Sequence, residues 1–385
     1  MRVLQLGKFY PIQGGVEKVM LDLVDGLSAQ GICCDMLCAN THIGEATKII
    51  QYNKFAQIFC VKAWGKKFAT MLSWQMIKIL RQIGSNYDII HVHHPDPMAA
   101  LALLLSGYEG KVVLHWHSDI LKQKVLLRFF MPLQNWLLNR ADIVIGTTPV
   151  YVAQSPHLMN FQDKCSYLPI GINPVLPDSK QVLKIKNRYP GKKIIFSLGR
   201  LVEYKGYKFL VEAAKYLPDD YIILIGGSGP LKASLQSQIE HESLQDKVLL
   251  LGRISDEDLS SYYGACDLYC LPSIMKTEAF AIVQIEAMSC GKPIVATKIP
   301  ESGVSWVNAD GESGFNVPVK DSKALADAIA RILCDQKIYQ RLSQGAKTRF
   351  NHLFIKEKMI ETCIGIYNKL LSEREDDNSI LCSLK

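Results

Sequence analysis

Acidic residues are missing from two long stretches of this sequence. Between Ala46 and Tyr87 there is no Asp or Glu, yet Lys48, Lys54, Lys62, Lys66, Lys67, Lys78 and Arg81 all occur. Ile120 to Ala141 is acid-free as well and carries Lys122, Lys124, Arg128 and Arg140. Long apolar runs are also missing: the longest, near Met98 to Leu105, falls far short of the roughly 20 residues that cross a bilayer. The opening Met-Arg-Val-Leu-Gln-Leu-Gly has neither the apolar core nor the cleavage site of a secretion signal, so a cytoplasmic location is expected. None of the eleven cysteines forms a Cys-x-x-Cys pair, which argues against a zinc ribbon and a thioredoxin-type motif. Cys33, Cys34, Cys38, Cys60 and Cys270 fall in strand-like runs, where a reduced thiol behaves as a small apolar group. The Gly-x-Gly-x-x-Gly dinucleotide fingerprint is absent after the first strand, which argues against a dehydrogenase.

What fills the acid-free stretches is basic and bulky apolar together. Trp64, Phe68, Met71, Leu72 and Trp74 are interleaved with the lysines of the first, and Leu126-Leu-Arg-Phe-Phe-Met-Pro-Leu lies in the second. Such a mixture suits an anionic membrane surface, where each nearby cation contributes about 1 kcal/mol. The competing reading is a solvated basic face over ordinary core residues. No nucleic-acid-binding motif accompanies the charge, so no nucleic acid partner is expected. With 48% apolar and 21% charged residues the composition is that of a soluble globular protein, and 385 residues suffice for two cores.

One pattern occurs twice: short apolar strand, glycine turn, amphipathic helix. The first half opens with a strand at Val3 to Leu6, a loop at Gly7 to Gly15 and a helix from about Val16 to Gln30. The second opens with Lys193 to Gly199 and a helix from about Gly206 to Tyr216. Alternating strands and helices predict an α/β fold, with two doubly wound, parallel-sheet domains and ligands at the carboxyl ends of the strands. The expected division is 1–175 for the first domain and 176–350 for the second. A helical segment, 351–385, is expected to pack back toward the first, its charged last residues fraying. The segment from Pro169–Pro174 to Pro190-Gly191, rich in proline and glycine, marks the hinge. The site is expected in a cleft between the two sets of strand ends.

The most informative stretch is Glu278-Ala-Phe-Ala-Ile-Val-Gln-Ile-Glu286, across a loop-to-helix junction. Free N–H groups of a helix start offer a seat for phosphate, and a carboxylate on either side can take hydroxyls of a sugar or a ribose. The competing reading is two ordinary surface glutamates. Gly199-Arg200-Leu-Val-Glu-Tyr-Lys205-Gly206 sets two cations about a loop that follows a strand, able to grip a diphosphate and neutralise its charge as it leaves, the competing reading being two solvated loop cations. Gly226 to Gly229 is a further glycine turn after a strand; with Gly227 it could line a nucleotide pocket, or be a mere loop. Gly14-Gly15-Val-Glu17 joins the first strand to the first helix, where paired glycines admit a phosphate or a sugar, or make a plain turn. His117 ends a strand at His115-Trp-His117-Ser-Asp119 and can meet a sugar hydroxyl. His91, His93 and His94 lie one strand earlier, but no acidic or cysteine ligand stands at metal-site spacing, so no metal is expected.

In this order, these pieces resemble the retaining glycosyltransferases of family 4, whose fold is GT-B, over roughly Met1 to Leu370. The resemblance implies that Arg200 and Lys205 bind the donor diphosphate and assist its departure. It further implies that Glu286 binds the ribose, that Glu278 lies beside the donor sugar, and that the amides of Phe280, Ala281, Ile282 and Val283 cover sugar and phosphate. His117 matches the histidine near the sugar's hydroxymethyl group, and Gly14-Gly15 and Gly199 match donor loops. Such enzymes need no metal and no cofactor. Ala281 departs from the family, which often has glycine there.

The reading is therefore a hexosyltransferase that takes a UDP- or GDP-sugar and an acceptor hydroxyl, with a front-face mechanism. The acceptor is expected to be a lipid-linked oligosaccharide of lipopolysaccharide, O-antigen or capsule assembly, at the inner face of the cytoplasmic membrane. A soluble acceptor, a non-hydrolysing sugar-nucleotide epimerase of the same fold, and a non-catalytic nucleotide-sugar sensor are the alternatives.

Overall fold

The structure, a computed structural model, describes residues 1–67, 70–120 and 124–383; side chains are described except for 124–127 and those after 372. The chain divides into two compact units, one of Met1–Gly171 with Lys356–Lys385, the other of Ile172–Ile355. Among the described residues no helix is long and apolar enough to cross a membrane.

The first unit is built on an eight-stranded sheet in the order β10-β9-β8-β7-β1-β2-β4-β3. Its strands are β1 (Arg2–Tyr10), β2 (Cys33–Asn40), β3 (Lys48–Asn53), β4 (Ala56–Val61), β7 (Ile89–His94), β8 (Lys111–Trp116), β9 (Ile143–Gly146) and β10 (Cys165–Tyr167). A separate hairpin pairs β5 (Gly65–Lys67) with β6 (Thr70–Leu72). Val3, Leu4 and Leu6 of β1 are fully buried, as the near-continuous apolar runs of a two-sided parallel sheet require. Three features depart from the sequence reading. β1 runs on to Tyr10, past the glycine expected to end it, through an irregularity between Leu6 and Phe9. β3 is an antiparallel edge strand, so the sheet is mixed, and both β3 and the hairpin stand inside the first acid-free run, where neither was expected. The proline-rich segment expected as a hinge contains a helix, Ser179–Arg188, started by the Asp178 carboxylate accepting from the Lys180 N–H. Phe68 and Lys122 of the basic-apolar stretches lie outside the described residues.

The second unit holds a six-stranded parallel sheet in the order β13-β12-β11-β14-β15-β16. Its strands are β11 (Lys193–Leu198), β12 (Tyr221–Gly226), β13 (Val248–Gly252), β14 (Leu268–Leu271), β15 (Ile294–Thr297) and β16 (Gly314–Val317). β11 sits between β12 and β14. The loops leaving β11, β12 and β14 therefore emerge side by side, which is the topological basis of a ligand site. The ten cysteines whose side chains are described are all free.

The last helix, Lys356–Ser383, belongs to the first unit and lies against the first helix, Gly15–Ala29. Lys356 pairs with Asp22 at 3.6 Å and with Asp25. A Cβ on Gly26 would stand 2.4 Å from Ile360 Cγ1, so the glycine is what lets the two helices touch. Gly26→Val should therefore destabilise the unit by about 1–3 kcal/mol, the usual cost of overpacking, read as a lower urea midpoint.

Candidate active site

In the second unit the site is assembled by backbone contacts that only glycine permits. Gly206 has φ +67°, and a Cβ on it would lie 2.1 Å from the Pro272 carbonyl oxygen beyond β14. The Ile274 N–H donates to the Tyr204 carbonyl at 2.8 Å across the same seam. The two loops are thus held together, and Lys205, between Tyr204 and Gly206, is carried onto the β14 loop. Gly227 has φ +132° and a Cβ there would lie 1.9 Å from the Gly199 carbonyl oxygen. Both glycines have a packing reason of their own, beside any ligand.

Lys205 and Glu278 meet in this seam. The ammonium lies 2.6 Å from Glu278 Oε2, and both side chains are about nine-tenths buried. The Ser273 hydroxyl donates to the same carboxylate oxygen at 2.9 Å. Gly199 leaves the room this needs, since a Cβ on it would stand 3.2 Å from Lys205 Nζ and 2.9 Å from the Tyr207 hydroxyl. Arg200, expected as the partner of Lys205 in gripping a diphosphate, is exposed instead. A lysine ammonium has three donors, and one is spent on Glu278.

Four residues after Glu278 begins the helix Ile282–Ser289. Among the described residues the N–H groups of Ile282 and Val283 have no acceptor, as the first turn of a helix dictates. Phe280 turns its ring into the core, edge-on to Phe354 at 5.8 Å, so only its backbone is left for a ligand. Ala281 caps the helix at φ +63°, ψ +79°. This left-handed conformation costs an L-residue about 1–2 kcal/mol and supplies the physical reason for a glycine at this position. Glu286, within the helix, accepts from the Tyr263 hydroxyl at 2.5 Å. Tyr263 is itself fully buried against Phe196 and Tyr269, so the carboxylate is held on one side. Burial, with the Glu286 charge next, pushes the Tyr263 hydroxyl pKa well up and keeps it a donor.

The remaining expected residues belong to the first unit. Gly14 and Gly15 are exposed at the start of the helix Gly15–Ala29, where the Glu17 carboxylate folds back so that a Cβ on Gly14 would stand 2.8 Å from it. His117 is buried, stacked on His115 at 3.9 Å and hydrogen-bonded through Nε2 to His93 Nδ1 at 2.9 Å. His93 in turn meets the Gln5 side chain at 2.8 Å. His91, His93 and His115 offer ring nitrogens within 4.8 Å of one another, a grouping that the sequence spacing had discounted as a metal site. Ser273, Tyr263, Gln5 and Tyr367 are site-supporting residues that the sequence reading missed. Gln5 alone carried a signal, as a polar residue in the middle of an apolar strand.

Comparison with known proteins identifies the family and the fold. Residues 13–176 match the model of Glycosyltransferase Family 4, and residues 178–349 that of Glycosyl transferases group 1. The O-antigen chain mannosyltransferase C of Escherichia coli is 30% identical over 380 residues, covering 97% of this chain and 100% of that one. The D-rhamnosyltransferase WbpZ of Pseudomonas aeruginosa is 27% identical over 358 residues, 92% of each. The structure of Anabaena Alr3699/HepE in complex with UDP superposes with a TM-score of 0.76 at 18% identity, covering 96% of this chain and 100% of that one. The fold is thus GT-B, two Rossmann-like α/β units. The chain belongs to the group 1/family 4 glycosyltransferases and is an enzyme that uses a nucleotide sugar. That membership favours transfer over the epimerase alternative.

Two predictions follow from the geometry. Ala281→Gly should relieve the left-handed strain and stabilise the second unit by about 0.5–1 kcal/mol, seen as a melting point a few degrees higher. The second concerns acid. Burial holds His94 and His115 down at about 3, and His91, His93 and His117 well below their ordinary value of 6.5. Unfolding restores that value, so below it the unfolded chain binds more protons and stability falls as pH drops. By pH 5.5 each histidine should remove about 1.4 kcal/mol. Four of the five tryptophans lie in the first unit, so their fluorescence in urea at pH 7.5 and 5.5 checks this.

Proposed function

We propose that this chain is a retaining hexosyltransferase that moves a sugar from UDP or GDP to a hydroxyl of a lipid-linked oligosaccharide, in the assembly of an O-antigen or a related surface polysaccharide. The observation that carries the catalytic part is Lys205, buried on Glu278 beside the helix start with its bare amides. Two remaining Lys205 donors, the N–H groups of Ile282 and Val283, and the helix dipole are positive groups suited to a leaving diphosphate. Arg200, exposed on the loop after β11, adds a second cation for the phosphates. Each such contact is worth about 3 kcal/mol in the transition state. The bond from the anomeric carbon to phosphate breaks as the acceptor oxygen bonds on the same face, and the departing phosphate oxygen takes the acceptor's proton. Glu278 faces the sugar and Glu286 the ribose hydroxyls. The positive charge comes from side chains and amides, so the reaction takes no metal.

The E. coli and P. aeruginosa relatives, which bear O-antigen and rhamnosyl names, favour a polysaccharide acceptor. A surface feature favours a lipid-linked one and a cytoplasmic enzyme docked at the membrane. Trp64 and Trp74 are 53% and 63% exposed and stack on each other at 6.4 Å. The helix Trp74–Ile83 turns Lys78 and Arg81 outward beside them, with Lys66 and Lys67 on the neighbouring hairpin. Exposed tryptophan rimmed by lysine is the composition of an interfacial anchor.

Arg200→Ala should lower kcat about 100-fold at an unchanged melting temperature, because the side chain is exposed; wild-type turnover in a radiolabelled-donor assay contradicts the diphosphate role. Trp74→Ala with Lys78→Glu should abolish flotation with anionic vesicles at low salt while leaving transfer to a soluble acceptor analogue intact. Equal flotation of variant and wild type removes the membrane reading.

A further inference from the structure

The buried histidines of the first unit form two hydrogen-bonded branches that start from one amide. Gln5 Oε1 lies 2.8 Å from His93 Nε2, and a carbonyl oxygen only accepts, so His93 carries its proton on Nε2. His93 Nδ1 is then the lone-pair nitrogen and accepts from His117 Nε2–H at 2.9 Å. On the other side Gln5 Nε2 donates to the Tyr367 hydroxyl at 3.3 Å and to Cys34 Sγ at 3.6 Å. The Tyr367 hydroxyl also shares a hydrogen bond with His91 Nδ1 at 2.5 Å, and His91 Nε2 shares one with His115 Nδ1 at 3.2 Å. The sense of the bonds from Gln5 through His93 to His117 follows from the orientation of Gln5. His93 and His117 are neutral and protonated on Nε2, which leaves His117 Nδ1 as a bare acceptor.

We propose that Gln5 is a positioning residue that fixes the tautomer of His117, so that His117 accepts a hydrogen bond from a sugar hydroxyl through Nδ1 and does not donate one. This rests on the reading of His117 as a contact to a sugar hydroxyl. A hydroxyl donates a hydrogen bond to such a nitrogen, whereas a carbonyl or phosphate oxygen has no hydrogen to donate, so the arrangement selects a hydroxyl at that point. It also bears on the three-histidine grouping. A cation bound there would have to take nitrogens already engaged in these bonds, since of the six only His115 Nε2 is buried without a partner among the described residues.

The test is long-range ¹H–¹⁵N correlation on the full chain labelled with ¹⁵N-histidine at pH 7.5, with His117 assigned by its loss in His117→Asn. The expected spectrum has His93 and His117 protonated on Nε2 and bare on Nδ1, unchanged by added Zn²⁺. Gln5→Leu should turn His93 and His117 into mixed tautomers and lower kcat about tenfold with the donor KM within twofold. Tyr367→Phe should disturb His91 and His115 alone, which keeps the proposal testable should Gln5→Leu fold poorly. An Nδ1–H signal for His117 in the native protein, Zn²⁺-shifted histidines, or unaltered tautomers in Gln5→Leu overturn it. Wild-type transfer by His117→Ala with the tautomers as assigned would instead remove the sugar contact and leave the hydrogen-bond relay standing.

Discussion

The second unit is organised about one buried ion pair. Taking a lysine and a glutamate out of water costs several kcal/mol per ion, and only close geometry and further hydrogen bonds offset it. Here the pair is set 2.6 Å apart and Ser273 adds a bond to the carboxylate. The surroundings are fixed accordingly. Gly206 presses on Pro272, Gly227 on Gly199, and neither contact tolerates a side chain. These constraints bring the loops that leave β11, β12 and β14 to one place, although 73 residues separate Lys205 from Glu278 in sequence. The next residues after Glu278 then turn directly into a helix start. A positive side chain and a set of unspent amides are juxtaposed for reasons of packing, and the chemistry of a leaving diphosphate follows from that juxtaposition.

The first unit uses a different principle, a closed polar network inside an apolar sheet. Three imidazoles from β7 and β8, His117 just after β8, a glutamine from β1 and a tyrosine from the last helix satisfy nearly all of one another's donors and acceptors. Such networks rigidify what they enclose, and a single unmatched member is costly. The last helix therefore has a second role beyond covering the sheet, because Tyr367 closes one branch of the network.

Much of this was legible in the sequence. The alternation of short apolar strands with helices placed nearly every parallel strand, and the glycine turns after β11 and β12 located the loops that matter. Glu278 and Glu286 stood out because they bracket a helix start. Other parts left no local mark. β3 and the small hairpin carry lysines and glutamine where an apolar alternation would have announced a strand, since an edge strand needs no second buried face. The pairing of Lys205 with Glu278 and the reach of Tyr367 to His91 are long-range contacts, which periodicity cannot reveal. Ala281 shows the intermediate case: its departure from glycine was visible, but only the backbone angle of +63° says why the position is strained.

The central claim is that the Lys205 ammonium and the amides at the start of the helix Ile282–Ser289 together receive the donor's diphosphate. The most direct measurement is a crystal structure of the protein grown with UDP or GDP. The account predicts phosphate oxygens within hydrogen-bond distance of Lys205 Nζ and of the Ile282 or Val283 N–H, with the Lys205–Glu278 pair intact. A nucleotide bound with its phosphates away from both groups would contradict it.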